Sequence, residues 1–291
     1  MAAARAFLSA LSSVSERACG VCAEFAFRRP PRFGATRREL AILESGARSW
    51  VRGPSGEIAM WRWGDGPRIL LVHGWGAHAG RLTPFVPRLV ASGFSVTAFD
   101  APGHGESPGR FCSLPEFVDA LTRVAVAVRP AAVVGHSMGA AAGALAIHAG
   151  IPAGAAVLIA PPADPGAYTL RFARWLGLTE TAAGVMRQRL ERRYAATLEE
   201  YRLLEHPPGV PTLIVHDRGD TRVPIADGRA IAAAWTDVRL VETQGLGHHR
   251  ILSSPAVVGR TAKFLTVKLF APSLPRVARF LKPPVMVLHG P

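Results

Sequence analysis

The stretch Ala131-Ala132-Val133-Val134-Gly135-His136-Ser137-Met138-Gly139-Ala140-Ala141-Ala142-Gly143-Ala144-Leu145-Ala146 decides how this chain folds. Its first four residues read as a short buried strand, and its last seven as a helix whose small side chains let it lie close to that strand. Between them there is no length for a loop, so Ser137 falls on a sharp, strained turn with its hydroxyl exposed. The backbone N–H of the next residue, Met138, then points to where charge develops on an attacked carbonyl. A second match to G-x-S-x-G, Gly105-Glu106-Ser107-Pro108-Gly109, fails on the same physics. Pro108 has no N–H to offer and no helix-forming segment follows at once, so Ser107 is expected to be a loop serine.

Outward from this point, strands and helices alternate. Apolar strand candidates lie at residues 69–72, 94–99, 131–134, 155–159, 212–215 and 238–242, after a hairpin formed by residues 50–52 and 56–63. Helical patterns fall at 81–91, 114–128, 138–149, 226–235 and 255–267. Near-continuous apolar strands alternating with helices predict an α/β fold with a mostly parallel, doubly wound sheet. One connection breaks the rhythm: from Pro165 to Pro208 there is no strand candidate, only arginine-rich helical sequence. A helical cap inserted over about residues 165–209 is expected there, placed to roof the carboxyl ends of the strands. The organisation predicted is an N-terminal helical extension over 1–48, the α/β domain over 49–270, and a proline-rich, basic tail over 271–291 outside the core.

Composition narrows the function classes. The 291 residues carry 34 Lys and Arg against 21 Asp and Glu, a formal charge of +13. Lys263, Lys268 and Lys282 are the lysines, so the charge is almost wholly arginine, spread along a chain rich in alanine and glycine. That pattern reflects compositional bias rather than a binding stripe, and no aromatic-basic motif accompanies it, so no nucleic-acid partner is expected. The three cysteines form no disulfide framework, which points to a reducing, cytoplasmic setting. Cys19-Gly20-Val21-Cys22 is a lone pair and reads as two ordinary helix cysteines, so no metal or cofactor is predicted. No apolar run reaches about 18 residues, and no transmembrane helix is expected. The short apolar run before Glu16 and Arg17 reads as part of a helix lying on the domain rather than an export signal.

A serine is a weak nucleophile without a base in reach and an acid to orient that base. Both residue types follow downstream. The strand at 212–215 opens into His216-Asp217-Arg218-Gly219-Asp220, and the strand at 238–242 into Gly245-Leu246-Gly247-His248-His249. Each candidate sits just past a strand's carboxyl end, where side chains from several strands converge. Asp217 and Asp220 compete as the acid, and His248 and His249 as the base.

These residues resemble the α/β-hydrolase fold family over about residues 50–267. The motifs are His73-Gly74-Trp75-Gly76, Asp100-Ala101-Pro102-Gly103-His104-Gly105-Glu106-Ser107, Gly135-His136-Ser137-Met138-Gly139, Asp220 with Val223-Pro224, and Gly247-His248. The resemblance implies Ser137 as nucleophile, His248 as base, Asp220 as acid, and the N–H groups of Trp75 and Met138 as oxyanion hole. It further implies a serine hydrolase acting on a small-molecule acyl compound, a carboxylic ester foremost, with thioester, amide, perhydrolase and carbon–carbon chemistry open on the same machinery and a non-catalytic binding protein of the fold as the alternative. It leaves the oligomeric state unspecified. His73 and His104 are expected to serve their glycine-rich turns, and His136 to be structural. Within the cap, Arg171 with Arg174, and Arg189 with Arg192 and Arg193, could each share a helix face turned either to Ser137 or to solvent.

Overall fold

The computed structural model describes residues 10–270 and 286–289. Among these, nine strands form one sheet: β1 (Ala47–Gly53), β2 (Gly56–Trp63), β3 (Arg68–Val72), β4 (Ser95–Phe99), β5 (Ala132–His136), β6 (Ala155–Ile159), β7 (Thr212–Asp217), β8 (Val238–Gln244) and β9 (Met286–His289). Their spatial order is β1-β2-β4-β3-β5-β6-β7-β8-β9. The β1–β2 hairpin is antiparallel and β2 runs antiparallel to β4; every other pairing is parallel. The expected mostly parallel α/β sheet is thus present.

Alternation along the strands divides the core in two. Leu70, Val72, Val133, Leu158 and Ile214 pack on one face, and Ile69, Leu71, Val134, Val157 and Val215 on the other. Each face is covered by helices, which is why these strands carry apolar residues at every position. The chain goes from β3 outward to β4 and returns to β5 on the other side of β3, making a switch point between β3 and β5. Open α/β sheets bind ligands in the crevice beyond the strand ends at such a point. Val72 pairs with Gly135, so β3 and β5 end level and deliver their following loops to the same place.

The principal helices are α1 (Glu16–Arg28), α2 (Arg37–Glu44), α3 (Val86–Ala91), α4 (Leu114–Val128), α5 (Met138–His148), α6 (Pro165–Leu176), α7 (Glu180–Tyr194), α8 (Ile225–Ala234) and α9 (Pro255–Phe270). The helix expected over 81–91 is instead a 3₁₀ segment, Ala79–Phe85, followed by α3. Pro84 lies inside the first piece and Pro87 at the start of the second, and a residue without an N–H cannot sustain one continuous α ladder there. The tail also departs from expectation: Met286–His289 pairs in parallel with β8 from Val241 to Gln244, adding an edge strand to the sheet. The prolines and basic residues before it mask a four-residue apolar run too short to register as a strand by composition. The rest of the tail, and residues 1–9 of the extension, lie outside the described residues.

The cap is α6 and α7 with two short 3₁₀ turns, and it enters and leaves the domain at one point, where the Leu203 N–H donates to Ala163 O at 2.9 Å. The N-terminal extension is helical, but α1 lies on the cap. Cys19 and Ala23 of α1 pack among Ala173 and Leu176 of α6 and Ala182, Met186 and Leu190 of α7. The Glu24 carboxylate, 3% exposed, accepts from Arg189 at 2.7 Å and Arg193 at 2.8 Å. These two arginines therefore pair with α1 while their side chains stay about two-fifths exposed to solvent. Burial pushes the Glu24 carboxyl up, and the two guanidinium hydrogen bonds outweigh it, holding it below the ordinary carboxylate range. Arg171, Arg174 and Arg192 are exposed, with Arg171 lying over the Tyr168 ring at 4.6 Å.

Candidate active site

Ser137 stands between β5 and α5 with φ 54° and ψ −122°, a backbone state strained for a residue with a Cβ. Close packing of strand on helix holds it there. A Cβ at Gly135 would lie 2.5 Å from Gly139 O, and one at Gly139 would lie 2.2 Å from His73 O, so neither position admits a side chain. The Ser137 N–H donates to Ile159 O at 2.9 Å, fastening the turn to the end of β6. A Cβ on Gly74 would approach the Ser137 Cβ to 3.2 Å, so the loop after β3 passes directly beside the serine. Trp75 is the next residue, its indole N–H donating to Cys112 O at 2.9 Å.

Of the two acid candidates, Asp220 meets the histidine. His248 Nδ1 lies 2.7 Å from Asp220 Oδ2, while Asp220 Oδ1 accepts from the N–H groups of Arg222 at 2.8 Å and Val223 at 2.9 Å. Burial raises the Asp220 carboxyl, and the His248 bond with these two N–H groups outweighs it, so Asp220 stays below the ordinary carboxylate range. With Nδ1 facing the carboxylate, Nε2 is the ring nitrogen of His248 turned away from Asp220. Asp217 has a different task. Its carboxylate accepts from Gly219 N at 2.9 Å, Thr243 Oγ1 at 2.7 Å and Leu246 N at 3.0 Å, binding the loop of Asp220 to the loop of His248. The ring of His249 stands edge-on to His248, 5.0 Å between centroids, and has no carboxylate bond of its own among the described residues.

Three histidines set the surrounding loops, and sequence reasoning foresaw the parts of two. His73 Nε2 accepts the Ala101 N–H at 3.0 Å, and His104 Nε2 accepts the Gly76 N–H at 2.9 Å. Each ring's Nδ1 donates to a nearby carbonyl, Gly74 O at 2.7 Å and Pro102 O at 2.9 Å. The loops after β3 and β4 are thereby laced together through neutral imidazoles. Burial lowers His73 to about 4, and burial with the neighbouring His73 lowers His104 to about 3. The third, His136, was read only as structural. Its Nε2–H donates to the His248 carbonyl at 2.9 Å, so the residue before the serine holds the backbone of the histidine 112 positions later. Burial first, and His248 second, keep His136 well below the usual histidine range and hence neutral.

The loop of Asp220 has its own support. His216, wholly buried at the end of β7, lies 2.9 Å from Val223 O through Nε2 and 3.7 Å from Asp220 Oδ2. No local pattern in His216-Asp217-Arg218-Gly219-Asp220 could have assigned that role. Ser107 is a loop serine, its hydroxyl donating to Asp100 O at 2.6 Å and accepting from Ala59 N at 3.0 Å. Cys19 and Cys22 are unbridged on α1, no group of His, Cys, Asp and Glu able to hold a metal ion is found among the described residues, and no described helix is long and apolar enough to cross a membrane.

Comparison with known proteins agrees with the fold. Residues 67–202 match the model of the serine aminopeptidase S33 family of hydrolases. Two similar curated proteins are pimeloyl-[acyl-carrier protein] methyl ester esterases. The one from Methylococcus capsulatus is 47% identical over 77 residues, 26% of this chain and 30% of the relative. The one from Xanthomonas axonopodis pv. citri is 33% identical over 155 residues, 49% of this chain and 54% of the relative. The chain thus spans at most about half the length of these relatives. Among solved structures, an esterase of Pyrococcus furiosus superposes with a TM-score of 0.61 at 18% identity, covering 83% of this chain and 98% of that one. Mouse alpha/beta hydrolase domain-containing protein 10 does so with a TM-score of 0.60 at 20% identity, covering 75% and 96%.

Proposed function

This chain has the α/β-hydrolase fold, and from that premise we propose that it is a serine hydrolase that cleaves carboxylic esters of small molecules. The observation that carries the reading is the Asp220–His248 contact of 2.7 Å, built on a loop whose backbone His136 ties to the strained turn at Ser137. Ser137 Oγ attacks the ester carbonyl as His248 Nε2 takes its proton. The carbonyl π electrons move to oxygen, and the N–H groups of Trp75 and Met138 hold that oxyanion. Collapse of the tetrahedral intermediate breaks the bond to the alcohol oxygen, which leaves with the proton from His248. Water, deprotonated by the same nitrogen, then releases the acid and restores Ser137. Among the described residues the Ser137 hydroxyl makes no hydrogen bond, so it is free to turn to His248; such contacts often close only in the Michaelis complex.

A methyl ester of a carboxylic acid is the first substrate to try, since relatives sharing part of this sequence are methyl ester esterases. A panel of methyl and p-nitrophenyl esters of increasing acyl length, assayed with the wild type and with Ser137→Ala, tests the proposal. Hydrolysis by the wild type that falls by about 10⁴-fold or more in the variant supports it. An equal rate in both proteins, or none on any ester in the wild type, defeats it.

A further inference from the structure

We infer that the Arg28 carbonyl and the side chains of Pro30, Pro31 and Arg32, ahead of the sheet and outside the residues matched by the family model, form a positioning element for the oxyanion hole, with Arg32 as its anchoring side chain. The inference rests on the reading of Trp75 and Met138 as the oxyanion donors.

The Arg32 guanidinium donates from Nε to Gly103 O and from Nη2 to Ser107 O and Gly109 O, each at 3.0 Å. These carbonyls belong to the loop after β4, the same loop from which His104 accepts the Gly76 N–H. Gly76 follows Trp75 directly, so the peptide carrying the oxyanion donor is oriented by a histidine whose own loop is clamped by Arg32.

Two further contacts run from this segment to the same place. Pro31 Cγ lies 3.0 Å from where a Cβ at Gly76 would stand, and Pro30 Cγ 3.3 Å from the equivalent point at Gly103, so the prolines pack on both turns. The Arg28 carbonyl accepts the Cys112 N–H at 2.7 Å, and the Cys112 carbonyl accepts the Trp75 indole N–H at 2.9 Å. Backbone and ring of Trp75 are therefore both reached from residues 28–32. An arginine suits the anchor because its planar fork bridges three carbonyls at once, which the single ammonium of lysine does not do. Oxyanion stabilisation depends on donors already in place when charge develops, so slack in this loop is felt in the transition state rather than in substrate binding.

The test compares wild type, Arg32→Ala, Arg32→Gln and Arg29→Ala in steady-state ester hydrolysis and in affinity for a trifluoromethyl ketone. Ser137 adds to that ketone, its proton passing to His248, and the hemiketal oxygen occupies the oxyanion hole. Arg29 is an exposed neighbour in the same segment and controls for loss of positive charge. Arg32→Ala is expected to lower kcat by about 10- to 100-fold with KM within about twofold, and to weaken the trifluoromethyl ketone in parallel. Arg32→Gln, which keeps a donor for one carbonyl, falls between it and the wild type and serves alone should the alanine variant not fold. Arg29→Ala is expected to match the wild type. A folded Arg32 variant with kcat unchanged, a loss carried by KM alone, or a kcat loss without weaker ketone binding overturns the inference. A wild type with no esterase activity overturns the functional reading and this inference together, whereas an active wild type with unchanged Arg32 variants overturns this inference alone.

Discussion

The turn at Ser137 and the seam between α1 and the cap are held by opposite kinds of physics. At the turn, Ala140, Ala141, Ala142, Ala144 and Ala146 of α5 are fully buried, and the fit depends on side chains that are missing from Gly135 and Gly139. At the seam, a small apolar cluster is ringed by charge, with Glu24 between Arg189 and Arg193, and Tyr194 reached by Arg28 at 3.0 Å and by Ser113 at 2.6 Å. Close packing of small residues fixes one geometry to a fraction of an ångström, which a nucleophile requires. Ion pairs whose arginines remain near two-fifths exposed tolerate adjustment, because water already reaches the guanidinium side of each pair. The molecule thus has a rigid turn at Ser137 and a seam, built on side-chain ion pairs, that is expected to loosen more readily than the turn.

The largest expected effect separates the two acids on the rigid side. Asp220→Asn leaves the contact with His248 but offers it the wrong tautomer, and is expected to lower kcat by roughly 10⁴-fold. Asp217→Asn removes one of the acceptors tying Gly219, Thr243 and Leu246, and is expected to cost about 1–2 kcal/mol of stability with a loss of activity of roughly tenfold or less. Steady-state kinetics with urea unfolding of both variants checks this; the reverse ranking assigns the acid to Asp217.

The laced loops of the same centre are expected to lose stability in acid. His73 and His104 titrate at about 4 and about 3 when folded, against 6.5 for the unperturbed group. The unfolded chain therefore binds more protons than the folded one below 6.5, and stability falls as pH drops from there toward 4. For His73 the full shift corresponds to about 3 kcal/mol, since one pKa unit is about 1.4 kcal/mol. Urea unfolding across pH 7 to 4.5 measures the slope, and His104→Gln is expected to reduce it by about one proton. An unchanged slope in that variant removes His104 from the account.

The seam is expected to give the smallest effect. Glu24→Gln removes the charge from its contacts with Arg28, Arg189 and Arg193 and is expected to cost about 1–2 kcal/mol, with kcat for a small ester changed less than about threefold. Differential scanning calorimetry alongside kcat measures both, and a large fall in kcat would mean that the seam and the centre are not separable in this way.

The same contrast explains what could be read from the amino acids. The turn at Ser137 was legible because strand, turn and helix are contiguous and each constrains the next. Asp220 and His248 were legible as loop residues past successive strand ends, and the Asp220–Val223–Pro224 spacing favoured Asp220 over Asp217, whose own bonds to Gly219, Thr243 and Leu246 no spacing announced. The partners of Arg189 and Arg193 were not legible. Their acid lies 165 and 169 positions away on a helix with no sequence mark tying it to the cap, so the pairing of these part-exposed arginines with Glu24 was not foreseen. Arg32 was silent for the same reason, its carbonyl acceptors lying 71 to 77 positions downstream and belonging to backbone, which carries no residue signature. The edge strand Met286–His289 was hidden by the prolines that precede it.

The central claim is that Ser137 is an activated nucleophile, and mapping of a fluorophosphonate adduct tests it most directly. The protein is incubated with the probe, digested, and sequenced by mass spectrometry. The account predicts one covalent phosphonylated residue, Ser137, no adduct in Ser137→Ala, and labelling slowed at least about 100-fold in Asp220→Asn, where His248 is no longer held as the base. An adduct on Ser107 or any other residue, or an intact Ser137 after prolonged exposure of the folded wild type, would contradict it.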